Sequence, residues 1–180
     1  MAKFYRKLDA ALQAFMGEQH LFFTGTAAAD GRVNVSPKGM NTFRCLDEQT
    51  VAYLDLTGSG NETAAHIGAC GRLTMMFCAF SGKPLILRLY GQGEIVRLDS
   101  DPGRALQAHF PVIPGARQII VLHIESAQTS CGFAIPRYEF QEERDLLVKW
   151  AEAKGDAGLK EYRAANNRRS IDGLPTGLDE

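Results

Sequence analysis

Six short segments with strand-like composition run through this chain, and helices do not alternate with them at regular intervals. A parallel doubly wound sheet needs a helix between successive strands, so this order argues against that fold. Short strands joined by turns are instead typical of an antiparallel sheet or barrel. The segments cover residues 20–27, 32–36, 50–57, 72–80, 85–97 and 117–129.

Turn residues within and between these segments favour closure of the sheet. Asp30 and Gly31 predict a hairpin between the first two segments. Pro37 is expected to end the second segment, because proline cannot donate to a strand ladder. Gly91 and Gly93 predict a bulge or sharp bend inside the fifth segment, as barrels need at corners. We therefore predict a mainly β fold, a six-stranded antiparallel barrel with peripheral helices.

The length of 180 residues fits one domain. Apolar residues recur at helical spacing in 7–16, 62–69, 102–109, 142–153 and 159–165. Asn61 is expected to cap the helix that follows it. We expect a single domain over residues 1–180, with a helical N-terminus at 1–19, a barrel at about 20–136 and a helical C-terminal extension at about 137–180.

Charge and hydropathy restrict the partners and the location. The formal net charge of −1 gives no global basic field for nucleic acid. No apolar run approaches the ~20 residues that a membrane span needs. The first fifteen residues are charged and amphipathic and lack the apolar core of a signal peptide. We therefore expect a cytoplasmic protein without a nucleic-acid or membrane partner.

Cysteines and histidines show no metal-binding spacing. The four cysteines are widely and unevenly spaced without a C-x-x-C pair, which favours reduced, buried thiols over a zinc site. The four histidines form no H-x-x-x-H or H-E-x-x-H motif. We predict no metal site, and we expect His66 on a helix surface.

Two polar segments near strand ends are candidate sites. In residues 32–39, Asn34, Ser36 and Lys38 alternate with apolar residues and share one face, which either faces solvent or lines a site. In residues 55–63, glycines and the side chains of Ser59 and Asn61 precede a helix and would suit a phosphate. A plain turn with a helix cap explains this second segment equally well, and it matches neither a Walker loop nor a dinucleotide fingerprint.

A third candidate lies on the later strands. Arg88 stands within the apolar run LILRLYG, where an arginine either faces solvent or pairs with an anion. Gln128 and Thr129 follow at the end of the last predicted strand.

Taken in order, these segments resemble one family. The stretches FFTGTAAADGRVNVSPKG, TVAYLDLTGSGNETAAHI, GRLTMMFCAF, LILRLYGQGEI and QTSCGFAIP are similar to those of FMN-binding split-barrel proteins related to pyridoxamine 5'-phosphate oxidase. The resemblance covers residues 20–136. It implies a six-stranded antiparallel split barrel and a homodimer with two FMN sites at the subunit interface.

The resemblance also implies roles for individual residues. Val35 and Ser36 would belong to the strand that lines the flavin, and Lys38 would lie near its ring or the substrate. The remaining positions would contact the flavin, its phosphate or its far edge: Thr57, Ser59, Asn61, Thr63, Gln128 and Thr129.

Two departures from the family pattern bear on function. Glu62 and Thr63 stand where the oxidase has an Arg-Lys phosphate clamp. Arg44, Arg72 or Arg88 is expected to compensate for the carboxylate, with Arg88 as the first choice. The C-terminal Trp and Arg motif of the oxidase is missing, which argues against oxidation of a pyridoxine phosphate and leaves the natural substrate open. The tail NNRRSIDGLPTGL is expected to fold over the flavin site of the second subunit.

The resemblance predicts an FMN-dependent oxidoreductase that moves electrons between a reduced donor and a small organic acceptor or oxygen. Two alternatives remain at this point. One is a non-catalytic flavin or deazaflavin sensor or carrier, and the other is a haem-binding split barrel with a histidine ligand.

Overall fold

The computed structural model describes residues 2–178, which form eight strands and four helices. All strands are antiparallel and belong to one sheet, in which seven run in the order β3-β2-β6-β7-β8-β5-β4 and β1 also pairs with β8. The strands are β1 (Lys3–Tyr5), β2 (Phe22–Thr26), β3 (Asn34–Lys38), β4 (Phe43–Cys45), β5 (Thr50–Leu56), β6 (Arg72–Cys78), β7 (Ile86–Arg97) and β8 (Ala116–Ser130). The helices are α1 (Ala10–Gly17), α2 (Glu62–Cys70), α3 (Asp101–Gln107) and α4 (Leu146–Asn166).

The predicted mainly β split barrel is confirmed, with β1 and β4 as two short strands beyond the six expected. A bulge lies beside the glycines of the fifth segment, since the register of β7 and β8 shifts between Tyr90 and Gly91, but the extra residue, Glu125, belongs to β8. At Gly91 a Cβ atom would lie 1.9 Å from the carbonyl oxygen of His123, so only glycine fits there.

The sheet curves until its two edges approach each other. The ring of Phe22 on β2 lies 5.5 Å from the ring of Phe43 on β4, although these strands stand near opposite ends of the strand order. β3 and β5 do not pair in the described part of the chain, and this opening between them is the split of the barrel. It positions the site described below.

Two apolar cores hold this arrangement. The larger fills the barrel with buried side chains such as Tyr53, Phe77 and Leu122, and α1 packs on it through Leu12 and Met16. The smaller lies on the other face of β5 and β8, under residues around α3, and is built from Ala52, Leu54, Val96, Phe110, Ile119 and Val121. Burial of this apolar area is the main force that closes the barrel.

Several local predictions are corrected. Pro37 does not end its strand but lies inside β3, where an edge position tolerates the missing N–H. Asn61 precedes α2, but its side chain makes no capping hydrogen bond. Residues 3–5 form a strand where the N-terminus was expected to be helical. The two predicted C-terminal helices are present as the two halves of α4, which meet at the non-helical Gly155 with φ 61°, but the first begins at Leu146 rather than at residue 142. No helix within residues 2–178 is long and apolar enough to cross a bilayer.

Candidate active site in the split of the barrel

A polar cavity of about 210 Å³ lies in the opening between β3 and β5. Strand β3, the end of β5, the glycine-containing loop after it and the first turn of α2 form its walls. The lining residues are Asn34, Ser36, Lys38, Asp55, Leu56, Gly58, Ser59, Gly60, Asn61, Glu62, Thr63 and Arg117.

Strand β3 turns its polar side chains inward, whereas Val35 within it and Val33 just before it point outward. Asn34, Ser36 and Lys38 are half-buried and line the cavity, whereas Val33 and Val35 are 72% and 66% exposed. An edge strand with one wet face normally shows the opposite pattern. Of the two interpretations that the sequence left open for this segment, the cavity-lining one therefore agrees with the structure.

Asp55 is the centre of the charge network at the cavity wall. Its side chain is buried, and its Oδ2 accepts hydrogen bonds from Arg117 Nε at 2.7 Å and from Gln118 Nε2 at 2.8 Å. Lys38 Nζ lies 3.4 Å from Oδ1. Burial by itself would raise the pKa of Asp55, but the charges of Arg117 and Lys38 outweigh it and hold that pKa below its ordinary value. Asp55 is therefore a carboxylate at neutral pH.

Asn61, one of the residues that line the cavity, has an unused side-chain donor. Its Oδ1 accepts a hydrogen bond from Gln118 Nε2 at 2.9 Å, which fixes the orientation of the amide. Its Nδ2 is buried and has no hydrogen-bond partner. Because a buried N–H without a partner costs about 1–3 kcal/mol, an orphaned donor that lines a cavity indicates a ligand position.

A second polar chain runs from the cavity into the barrel. Asn34 Nδ2 donates to Thr63 Oγ1 at 3.2 Å and to Thr26 Oγ1 at 3.1 Å. Thr26 Oγ1 in turn lies 3.0 Å from Nδ1 of His66. The expectation of a surface position for His66 is wrong, because the side chain is 1% exposed and faces β2 from α2.

The C-terminal segment packs against the glycine loop and α2 of its own chain. Asn167 Nδ2 donates to Gly58 O at 3.1 Å, and Ile171 N donates to Glu62 Oε1 at 3.0 Å. Asp172 accepts from the backbone N–H of Arg32 at 2.7 Å and pairs with its guanidinium. Residues 167–172 thus form a clasp on their own chain, and the cover over a second subunit's site stays a prediction.

The structure brings half of the predicted site residues together. Ser36, Lys38, Ser59, Asn61 and Thr63 all line the cavity. Their common position is what the family resemblance implies, because the polar pattern by itself indicated two separate candidate segments.

Two predicted residues are buried and already bonded within the chain. Thr57 donates its hydroxyl to Gly115 O at 2.8 Å and accepts from Arg163 Nε at 2.8 Å. Thr129 lies inside the barrel, with its hydroxyl 3.5 Å from Lys3 O. Neither side chain is among those that line the cavity.

Three predicted residues lie on the outer face of the sheet. Arg88 is opposite Gln128 on β8, and residues opposite each other across antiparallel strands share a face. Following the register through β6 and β2 places Pro37 on that same face, and Val35 with it, because side chains alternate along β3. Within one chain Arg88 therefore does not reach Glu62, and it donates instead to Ser130 Oγ at 3.2 Å.

Sequence reasoning missed the buried network behind the cavity. Asp55 and Arg117 are 62 positions apart and meet only because β5 pairs with β8. A signal was present, since Asp55 interrupts the apolar strand TVAYLDL and a buried carboxylate needs a cation.

The expectation of four buried thiols is only partly correct. Cys78 is buried, Cys45 and Cys70 are half-buried, and Cys131 is exposed. Among residues 2–178, no group of three or more His, Cys, Asp or Glu side chains is arranged to hold a metal ion.

Comparison with known proteins identifies the family. The family model described as pyridoxamine 5'-phosphate oxidase matches residues 8–131, more than half of the chain. The chain belongs to the pyridoxamine 5'-phosphate oxidase family. It is 38% identical over 194 residues to the pyridoxamine 5'-phosphate oxidase family protein ustO of Aspergillus flavus, covering 97% of this chain and 78% of that relative. The resemblance seen in the sequence is thereby confirmed.

Solved structures share the split-barrel fold of this family. A proposed pyridoxamine 5'-phosphate oxidase from Lactobacillus delbrueckii is 24% identical, with 68% of this chain and 94% of that chain covered and a TM-score of 0.55. A FAD-binding protein from Mesorhizobium loti is 12% identical, with 72% and 99% covered and a TM-score of 0.50. At these identities the likeness shows the fold alone.

Proposed function

We propose that this member of the pyridoxamine 5'-phosphate oxidase family binds FMN in the cavity between β3 and β5. We further propose that it works as an oxidoreductase between a reduced donor and a small organic acceptor or oxygen. The buried, unpartnered Nδ2 of Asn61 in the cavity wall carries this proposal. The Mesorhizobium loti protein, which shares the fold, is named a FAD-binding protein, and this supports the proposal.

The donors in the cavity fit the polar parts of a flavin. Ser59 and Thr63 offer hydroxyls beside the Asn61 amide, and Lys38 adds a cation at the opposite wall. A bound flavin supplies the redox chemistry, so the protein needs to bind and orient it rather than provide an acid and a base of its own. Asp55 and Arg117 hold Gln118 and Lys38 in place behind these contacts.

A second copy of the chain completes the proposed site. The cavity of about 210 Å³ is smaller than the ~300–1,000 Å³ typical of pockets that enclose a cofactor-sized ligand. Val33 and Val35 are exposed apolar side chains on the outer face of the sheet, and exposed apolar surface of this kind marks an interface. In a homodimer this face would be covered, and Arg88 and Gln128 on it would lie at the interface with the second copy.

Reduction by nicotinamide donors separates an oxidoreductase from a sensor or carrier. The flavin-loaded protein is mixed without oxygen with NADH or NADPH, and the ~450 nm flavin absorbance is followed. We expect bleaching by at least one donor and recovery when oxygen is admitted, over many cycles. Stable flavin binding without reduction by either donor would support the non-catalytic alternative instead.

The haem-binding alternative has no support in the cavity. Its lining, given above for the described residues, contains no His, Met, Cys or Tyr to serve as an axial ligand. We also propose a cytoplasmic location, since the exposed thiol of Cys131 fits a reducing compartment.

A further inference from the structure

Four ionisable side chains line the cavity, and their charges cancel. Lys38 and Arg117 are cations, while Asp55 and Glu62 are anions. Both cations are engaged by the same carboxylate, since Arg117 Nε is 2.7 Å from Asp55 Oδ2 and Lys38 Nζ is 3.4 Å from Oδ1. The cavity of one chain therefore has no surplus positive charge to offer an anion.

The N-terminus of α2 already carries an anion that belongs to the chain itself. Glu62 is the first residue of α2, where the helix dipole favours a negative charge. Its Oε1 accepts the backbone N–H of Ile171 at 3.0 Å, so the clasp of the C-terminal segment holds the carboxylate beside the glycine loop. The same Glu62 oxygen lies close to Gly60, since a Cβ atom added to Gly60 would be 3.4 Å from it. The carboxylate is therefore next to the glycine loop that lines the cavity. A phosphate bound at this helix terminus would meet a like charge at short range.

The donors that remain at this end of the cavity are neutral. They are the buried, unpartnered Nδ2 of Asn61 and the hydroxyls of Ser59 and Thr63. Amide and hydroxyl groups bind the hydroxyls of a polyol, which can both accept and donate, without any need for charge compensation. A dianion, in contrast, needs charge-assisted bonds from Arg or Lys to offset its loss of hydration.

We propose that the N-terminus of α2 holds the uncharged polyol portion of the flavin and that Glu62 removes the advantage of a terminal phosphate. The inference rests on the proposed flavin-binding function and deepens it. Glu62 is then a specificity-determining residue: the protein binds riboflavin about as tightly as FMN, through the ring and the ribityl chain.

Binding of FMN and riboflavin to the purified full chain tests this inference. Flavin fluorescence quenching is titrated for wild type and for Glu62→Gln, which keeps the oxygen that accepts Ile171 N and removes only the charge. Glu18→Gln is the matched control, because it changes the net charge equally at an exposed position at the end of α1. We expect the two wild-type dissociation constants to agree within threefold. Glu62→Gln should tighten FMN binding at least fivefold and leave riboflavin within twofold, and Glu18→Gln should change neither.

Three results would overturn the inference in distinguishable ways. FMN binding at least tenfold tighter than riboflavin in the wild type would contradict it while leaving the flavin site intact. If Arg88→Gln then abolished that preference, Arg88 would be the missing cation, supplied at the interface between two copies. An unchanged FMN affinity in Glu62→Gln would show that Glu62 does not set specificity. Binding of neither flavin would refute the proposed function itself.

Discussion

At the scale of single residues, the buried pair of Asp55 and Arg117 governs the site. Replacing Arg117 with Met leaves the Asp55 carboxylate buried without its main partner, which should lower the free energy of unfolding by about 3–5 kcal/mol. The double variant Asp55→Asn with Arg117→Met should recover much of this loss. Urea denaturation of the two variants and the wild type measures both effects, and equal losses in the single and double variants would contradict the account.

The same pair predicts a pH dependence of stability. In the wild type the folded-state pKa of Asp55 is depressed, so its contribution is present above the unfolded value and is lost only as pH falls through the folded value. Without Arg117, burial dominates and the pKa of Asp55 should rise. The free energy of unfolding of Arg117→Met should therefore increase relative to wild type as the pH is lowered from 7 to 5. If the free energies of unfolding of the wild type and Arg117→Met changed in parallel with pH, Arg117 would not be what lowers the pKa of Asp55.

At the scale of elements, the bulge at Glu125 of β8 requires glycine at the facing position 91 of β7. A Cβ there would meet the backbone oxygen of His123 at 1.9 Å, and backbone cannot move aside cheaply. Gly91→Ala should therefore lower the free energy of unfolding by about 3 kcal/mol. Gly17→Ala is the control, because a Cβ at that helix end meets nothing within 4 Å. If Gly91→Ala and Gly17→Ala unfolded at similar temperatures, the requirement for glycine at the bulge would be contradicted.

The C-terminal clasp depends on Asn167. The side chain of this buried residue makes two hydrogen bonds. Its Oδ1 accepts from Arg117 Nη1 at 2.8 Å, and its Nδ2 donates to Gly58 O at 3.1 Å. Asn167→Ala should release residues 168–178, with stability lower by about 1–3 kcal/mol and faster proteolysis of the tail. Its exposed neighbour Asn166 offers the control, since its side chain donates within α4, to Tyr162 O. Equal proteolysis rates for Asn167→Ala and Asn166→Ala would argue against the clasp.

Element positions could be predicted from the sequence far better than the contacts between elements. The six main strands and the bulge at Gly91 follow from residue alternation and from glycine inside a strand, both of which are local. Whether Arg88 faces the cavity or the outer surface depends on the register of four strands, which single-sequence patterns do not encode. The pairing of Asp55 with Arg117 was hidden for the same reason, because the partners meet only in the folded sheet.

At the scale of the whole molecule, the exposed valines of β3 should mark a homodimer interface. Val35→Asp would place a charge on the apolar outer face and should convert a dimer to a monomer in analytical ultracentrifugation. Val112→Asp makes the same change at a fully exposed position after α3 and should leave the dimer intact. A monomeric wild type, or dissociation by both variants alike, would contradict the proposed interface.

The central claim is that the cavity between β3 and β5 binds a flavin through Asn61. The most direct measurement is a flavin titration of wild type and Asn61→Asp, with Asn166→Asp as an exposed control for the same chemical change. The aspartate keeps the oxygen that accepts Gln118 Nε2 and loses the unpartnered donor. We predict one flavin per chain for wild type and for Asn166→Asp, and at least tenfold weaker binding for a folded Asn61→Asp. Flavin binding of equal strength in all three proteins would place the cofactor elsewhere and contradict the account.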